Sequence, residues 1–187
     1  MKFIGLSLVA TMLTVGCVAD APVIEFVKFN EADIRLAYYP VAGGRDFATV
    51  IHGNSTKAPK AQFDTAVISA LHRGYRGPTT RFTTTPSDSA RPGYRLELRF
   101  APTARSLVGA ACAERGQVNT GPAEGHLSMI AAFCYKDEVL AKVRGHTRAV
   151  NGPDDPALSA LVAQASIALF PVSNQVFGGG GGGGQDR

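Results

Sequence analysis

The sequence predicts an α+β fold, an antiparallel sheet with two amphipathic helices packed on one face. Three observations lead there. Tyr94–Phe100 alternates without a break, with Tyr94, Leu96, Leu98 and Phe100 on one side and Arg95, Glu97 and Arg99 on the other. That is the period-two pattern of a half-buried antiparallel strand with a solvated face. Phe63, Ala66, Val67, Ala70 and Leu71 recur at helical spacing, as do Leu158, Leu161, Val162, Ala165 and Leu169, so each set forms one apolar stripe. The elements run strands, helix, strands, helix, joined by hairpins rather than by strict βαβ alternation.

Taken in order, the chain opens with Lys2 and an apolar run over residues 3–15, and small Gly16 stands directly before Cys17. A positive start, an apolar stretch short for a bilayer span and a small residue at its end make a secretory leader. The segment resembles a bacterial lipoprotein signal, whose lipobox ends in a small residue and a cysteine; Thr14 stands where that motif prefers Leu or Val. The resemblance implies cleavage that removes residues 1–16 as signal peptide and leaves Cys17 as the lipidated first residue. Val18 rather than an aspartate follows it, which by analogy with the sorting of such lipoproteins implies the outer membrane, facing the periplasm. Residues 17–22 form a short tether with a reach of about 20 Å, so the body sits near the headgroups.

Loss of Lys2 with the leader lowers the formal charge of +4 by one. Charged residues make up 18% of the chain and tryptophan is absent, so this is no strongly basic nucleic-acid module. Residues 23–177 suffice for one domain with its own core. Once Cys17 is assigned to the anchor, Cys112 and Cys134 remain. In an oxidising compartment an even pair is read first as a disulfide, contributing about 3 kcal/mol on the chain-entropy model. Neither cysteine has further metal ligands at short spacing.

Val23–Phe29 and residues 34–39 are rich in β-branched and aromatic residues around a polar turn, and read as a hairpin with Ile34, Leu36 and Tyr38 on one face. Residues 41–44 read as loop, residues 47–52 as a third strand. Pro59 opens the first helix, and Gly74 is placed to cap its C-terminus in the left-handed region. Residues 81–85 are a short β-prone run and residues 86–92 a loop. Residues 106–113 carry no decisive pattern, and residues 116–125 read as a loop pinned by Cys112. Residues 127–135 and 139–150 form the clearest hairpin. In its second arm Val139, Ala141, Val143 and Thr147 point one way, and Lys142, Arg144, His146 and Arg148 the other. Asp155 is a plausible N-cap and Pro156 suits the first position of the last helix, which Pro171 closes. Residues 178–187, beginning with a glycine run, read as a disordered tail without the strand, helix or lysine of a phosphate loop.

Catalytic and metal motifs are missing from this pattern. His52, His72, His126 and His146 are isolated, with no partner at i+3 or i+4. Gly53-Asn54-Ser55 approaches a nucleophile elbow but is explained by a strand-ending turn. Asp154-Asp155 is explained by helix capping and Asp137-Glu138 by a hairpin turn. No catalytic residue, metal or cofactor is assigned, and an enzyme is not expected.

The feature above background is cationic. Between Arg73 and Arg105 stand seven arginines against two acids, Asp88 and Glu97. If the strands share a sheet, Arg95, Arg99, Lys142, Arg144 and Arg148 lie together on the exposed face opposite the helices, since a one-residue slip would bury all the charges. A solvated outer face is the simpler account. The sharper one is a surface for anionic lipid headgroups, lipopolysaccharide phosphates or an acidic protein partner.

His52-Gly53-Asn54, Arg81-Phe82-Thr83-Thr84, Arg91-Pro92-Gly93-Tyr94-Arg95 and Ala131-Ala132-Phe133-Cys134 together resemble uncharacterised envelope lipoproteins of Gram-negative bacteria. The resemblance spans most of the mature body. It implies an envelope address and a disulfide but supplies no activity or functional residues. The expectation is a membrane-anchored, non-catalytic interaction or accessory protein in envelope assembly or maintenance, or a binder of anionic envelope ligands.

Overall fold

The computed structural model describes residues 21–29, 41–101, 111–113 and 125–171. They form strands β1 (Val23–Phe29), β2 (Asp46–His52), β3 (Arg81–Thr83), β4 (Tyr94–Phe100), β5 (His126–Tyr135) and β6 (Glu138–Arg148), with helices α1 (Lys60–Gly74) and α2 (Pro156–Leu169). The six strands make one sheet in the order β1-β6-β5-β4-β2-β3. The architecture is α+β, but the sheet is mixed rather than purely antiparallel. β1, β6, β5 and β4 pair antiparallel in succession, whereas β2 is parallel to both β4 and β3. The reason lies in α1, which is the crossover that parallel neighbours need between β2 and β3.

The described partner of β1 is β6, with Val23 opposite His146. The second arm of the expected N-terminal hairpin, residues 34–39, lies outside the described residues, as do the leader, Cys17 and the glycine tail. Val41 and Ala42, read as loop, are helical and buried.

Both helical stripes close on one sheet face. Phe63, Val67, Ala70 and Leu71 of α1 and Leu158, Leu161, Val162, Ala165 and Leu169 of α2 are buried with Leu96, Leu98, Phe100, Met129, Phe133 and Val143 of the sheet. Phe47 sits at the centre of an aromatic group, its ring 5.5 Å from Phe82, 5.6 Å from Phe133 and 5.8 Å from Phe170. Each fully buried phenylalanine contributes on the order of 2–3 kcal/mol by area alone. Gly74 is the last residue of α1, and the cap is Tyr75 in an extended conformation. The expected left-handed glycine cap is therefore replaced by a different use of glycine. A Cβ at Gly74 would lie 2.1 Å from the carbonyl oxygen of Ala163, so the missing side chain lets the two helices touch.

Asp155 caps α2 as its position predicts, accepting from the Ala157 amide at 2.9 Å, with Pro156 at the first turn. At the other end of the sheet Asp46 is buried where β2 begins. Its carboxylate takes the Arg81 guanidinium at 2.8 and 2.7 Å and the amide and hydroxyl of Ser87, each at 2.8 Å. These bonds, Arg81 first and then Ser87, hold the Asp46 carboxyl far below the usual range despite its burial. They tie β3, only three residues long, and the following loop to β2.

The outer sheet face carries a second, smaller apolar cluster. Ala111 and Cys112 pack on Ile130, Ala132 and Cys134, with Val139 against them. Cys112 and Cys134 form a disulfide, Cα to Cα 5.6 Å. A bulge explains Val139: Phe133 faces Ala141 but Cys134 faces Val139, so the extra residue, Leu140, packs toward the main core and Val139 turns outward.

Candidate functional site on the outer sheet face

Register decides which side chains share the face away from the helices. β4 contributes Arg95, Glu97 and Arg99, which pair with Cys134, Ala132 and Ile130 of β5. Ile130 and Ala132 pair in turn with Arg144 and Lys142 of β6, His126 with Arg148, and Ser128 with His146. On the far side of β4, His52 of β2 is opposite Arg99. The five basic residues singled out by alternation thus occupy positions on one face.

Their environments differ, and β4 does not present the solvated side its alternation predicts. Glu97 and Arg99 are buried, at 4% and 7% exposure, and the Arg95 side chain retains 13%. Central placement in the sheet, with neighbours on both sides and Ala111 and Cys112 lying over β5, removes the water that an edge strand would keep. Buried charge has to be paired, and for two of these three residues it is. Glu97 accepts from Arg95 Nε at 2.6 Å through one oxygen and meets His52 Nε2 at 2.6 Å through the other. Burial pushes the Glu97 carboxyl up, but the bonds from His52 and Arg95 outweigh it and hold the group below the ordinary glutamate value. Arg95 also donates to the Lys136 carbonyl at 2.8 Å and to the Cys112 carbonyl. One guanidinium therefore links β4, the β5–β6 turn and the disulfide-bonded segment.

Arg148 turns out of the row toward α2. It donates to both Asp155 oxygens at 3.1 and 2.8 Å and to the Ala149 carbonyl at 2.8 Å. Burial raises the Asp155 carboxyl, while Arg148 and the Asn151 and Ala157 amides lower it further, leaving it below the usual aspartate range. Arg148 is thus half-buried in the α2 cap rather than an open cation.

Arg99 and Arg144 behave otherwise. In both, the guanidinium Nε is buried and has no hydrogen-bond partner among the described residues. Lys142 is half-buried beside them, and no acid forms an ion pair with any of the three among the described residues. The tripartite His52–Glu97–Arg95 link was not legible beforehand, because it depends on β2 lying parallel to β4. The Arg-Glu-Arg alternation over residues 95–99 did carry the signal that an acid on this face would neutralise one arginine.

No group of three metal-ligating side chains gathers among the described residues, and no helix there is long and apolar enough to cross a membrane. On the opposite, helical side a surface groove of about 630 Å³ runs between α1 and the start of α2, lined by Gln62, Thr65, Ser69, Arg73, Asp154 and Ser159 among others.

No family model matches the chain, and no curated protein matches it. Among solved structures it is similar to the PelC dodecamer from Paraburkholderia phytofirmans in two crystal forms. A single-site variant gives 13% identity and a TM-score of 0.44 over 80% of this chain and 97% of that one. The other form gives 13% identity and a TM-score of 0.42 over 79% and 96%.

Proposed function

We propose that the protein is a lipid-anchored, periplasm-facing lipoprotein, placed at the outer membrane, that serves as a non-catalytic interaction or accessory protein in envelope assembly or maintenance. The leader ending in Gly16-Cys17 carries the address. The observation that carries the non-catalytic reading is where the buried carboxylates go. Asp46, Glu97 and Asp155 are each held by an arginine or histidine together with local bonds, and each is kept ionised. Such groups are cross-links between elements, not acids or bases poised near neutrality. The open surface groove between α1 and the start of α2 fits an interaction protein as well.

Multiple acyl chains on one residue give stable anchoring where a single chain is marginal. Cys17→Ser should therefore release the protein from membranes or leave an unprocessed precursor; unchanged mass and retention would overturn the anchor. Cross-linking in intact envelopes followed by mass spectrometry then reads the partner, and a protein that yields no specific adduct while hydrolysing an envelope substrate would overturn the accessory role.

A second reading, an anionic-ligand binder, is favoured by one observation: Arg99 and Arg144 each keep a buried guanidinium Nε without an acceptor among the described residues, on the face that bears Lys142. Acidic vesicles should bind in preference to neutral ones, and added salt should weaken the binding. Equal binding to both vesicle types would remove this reading.

A further inference from the structure

We propose that His126 and His146 form a cross-strand site for one copper(II) ion on the outer face of the β5–β6 hairpin. The site stands on the fold and goes beyond the anchor and accessory roles. The envelope address enters only through the oxidation state of the metal.

The fold divides the four histidines into two kinds. His52 is taken by the Glu97 carboxylate at 2.6 Å, and the His72 ring packs edge-on against Phe82 with centroids 5.2 Å apart. His126 and His146 are exposed, and neither has a hydrogen bond, ion pair or ring contact among the described residues. They are also the two that strand pairing brings together.

His126 lies opposite Arg148 and His146 opposite Ser128, with the pair Leu127 and Thr147 between them. Leu127 and Thr147 are buried on the helical side, so the two histidines are diagonal neighbours on the outer face. Diagonal neighbours have Cβ atoms about 7–8 Å apart or slightly less, within reach of ring side chains. A divalent ion sits about 2.0–2.1 Å from each imidazole nitrogen, so two converging rings can hold one ion across that gap. Ser128, the outward residue opposite His146, is too small to hold the rings apart. The site needs no enclosed cavity, because both rings are exposed and water completes the coordination.

The nearest cations on this face are Arg148 and Arg144. Asp155 forks Arg148 at 3.1 and 2.8 Å, and Glu25 stands opposite Arg144 on β1 and offsets part of its charge. With no acid in the site itself, an ion has to bind through the strength of its bonds to nitrogen. That selects copper. Affinity for nitrogen ligands among the divalent first-row metals peaks at copper(II), which accepts a tetragonal arrangement of nitrogen and water. Calcium and magnesium take oxygen ligands. A closed zinc site takes four protein ligands, and no group of three gathers among the described residues. An oxidising compartment keeps copper in the divalent state.

The test uses the full chain in neutral detergent micelles, titrated with copper(II) in glycine buffer to suppress weaker surface binding. One ion per chain is expected, with two imidazole rings on the metal by pulsed electron paramagnetic resonance. His126→Gln and His146→Gln should each weaken binding about tenfold or more and leave one imidazole, because the second ring acts at high effective concentration. His72→Gln, on α1, should change neither. Both histidines are exposed, so the metal-free urea midpoints of the variants should match that of the parent chain, while copper should raise the parent's midpoint alone. An imidazole count of one or none in the parent chain overturns the site without recourse to a variant. Undiminished affinity with two imidazoles in either glutamine variant overturns it as well. Zinc binding more tightly than copper overturns the choice of metal.

Discussion

Gly74→Ala sets helix propensity against packing. On propensity alone, alanine in a helix is favoured over glycine by about 0.5–1 kcal/mol. The new Cβ would however stand 2.1 Å from the Ala163 oxygen and 2.7 Å from its carbonyl carbon and Cα. All three are backbone atoms, so no rotamer change relieves the contact. α1 and α2 must separate locally by about 1 Å, a displacement that forfeits a quarter to a half of each affected dispersion contact. Overpacking of this kind costs about 1–3 kcal/mol, and subtracting the propensity gain leaves a loss of up to about 2.5 kcal/mol. In a domain of this size that lowers the melting temperature by up to about 10 °C. Urea unfolding should show a lower midpoint with an unchanged slope. Gly145→Ala is the comparison, because there the Cβ meets the Cδ1 atoms of Ile24 at 2.6 Å and Leu161 at 2.7 Å, side-chain ends that can rotate away. Gly145→Ala should cost less. A stabilised Gly74→Ala, or the reverse order of the two variants, would refute the backbone-contact argument.

Replacing Cys112 and Cys134 together with alanine should lower stability by about 3 kcal/mol, read by urea unfolding with and without reductant; a protein indifferent to reductant would show that the bridge adds nothing. Asp155→Ala removes the α2 cap and the Arg148 fork together and should cost about 1–3 kcal/mol, whereas Asp155→Asn keeps the cap acceptor and should cost less in the same assay. Held by His52 and Arg95 against the effect of burial, the Glu97 carboxyl titrates below the ordinary glutamate range in the folded protein, so in acid the unfolded chain binds more protons. Its contribution is complete above about pH 4.5 and is lost as pH falls through the lower folded value. Denaturation midpoints should fall on that acid limb, and Glu97→Gln should flatten it, leaving the shares of Asp46 and Asp155.

The periodic elements were legible because each has an inside and an outside set by one dominant force. The stripes of α1 and α2, the alternation of Tyr94–Phe100 and the arms of the β5–β6 hairpin follow from burial of apolar surface. The disulfide followed from counting cysteines once Cys17 was set aside. What escaped depends on distant pairing. That β2 lies parallel beside β4 is a property of the crossover through α1, and no local pattern marks it. The burial of Arg99 and Glu97 has the same origin, because alternation tells which face a side chain joins but not what covers that face. Gly74 shows the ambiguity at single-residue scale: a glycine after a helical stripe is expected to cap it, yet here it marks a helix crossing.

The pairing of β1 with β6 also governs the order in which the domain can assemble. The first strand to emerge during synthesis has to wait for nearly the last one, while β5 and β6 are joined by a tight turn and can zip locally. Until β6 arrives, β1 lacks its described partner and β5 keeps one edge unpaired, so a chain truncated before β6 exposes two sets of unmatched backbone groups at once. The completed hairpin closes both gaps in one step. Folding should accordingly be late and cooperative, with a long interval in which the nascent N-terminal half is prone to stick to its neighbours.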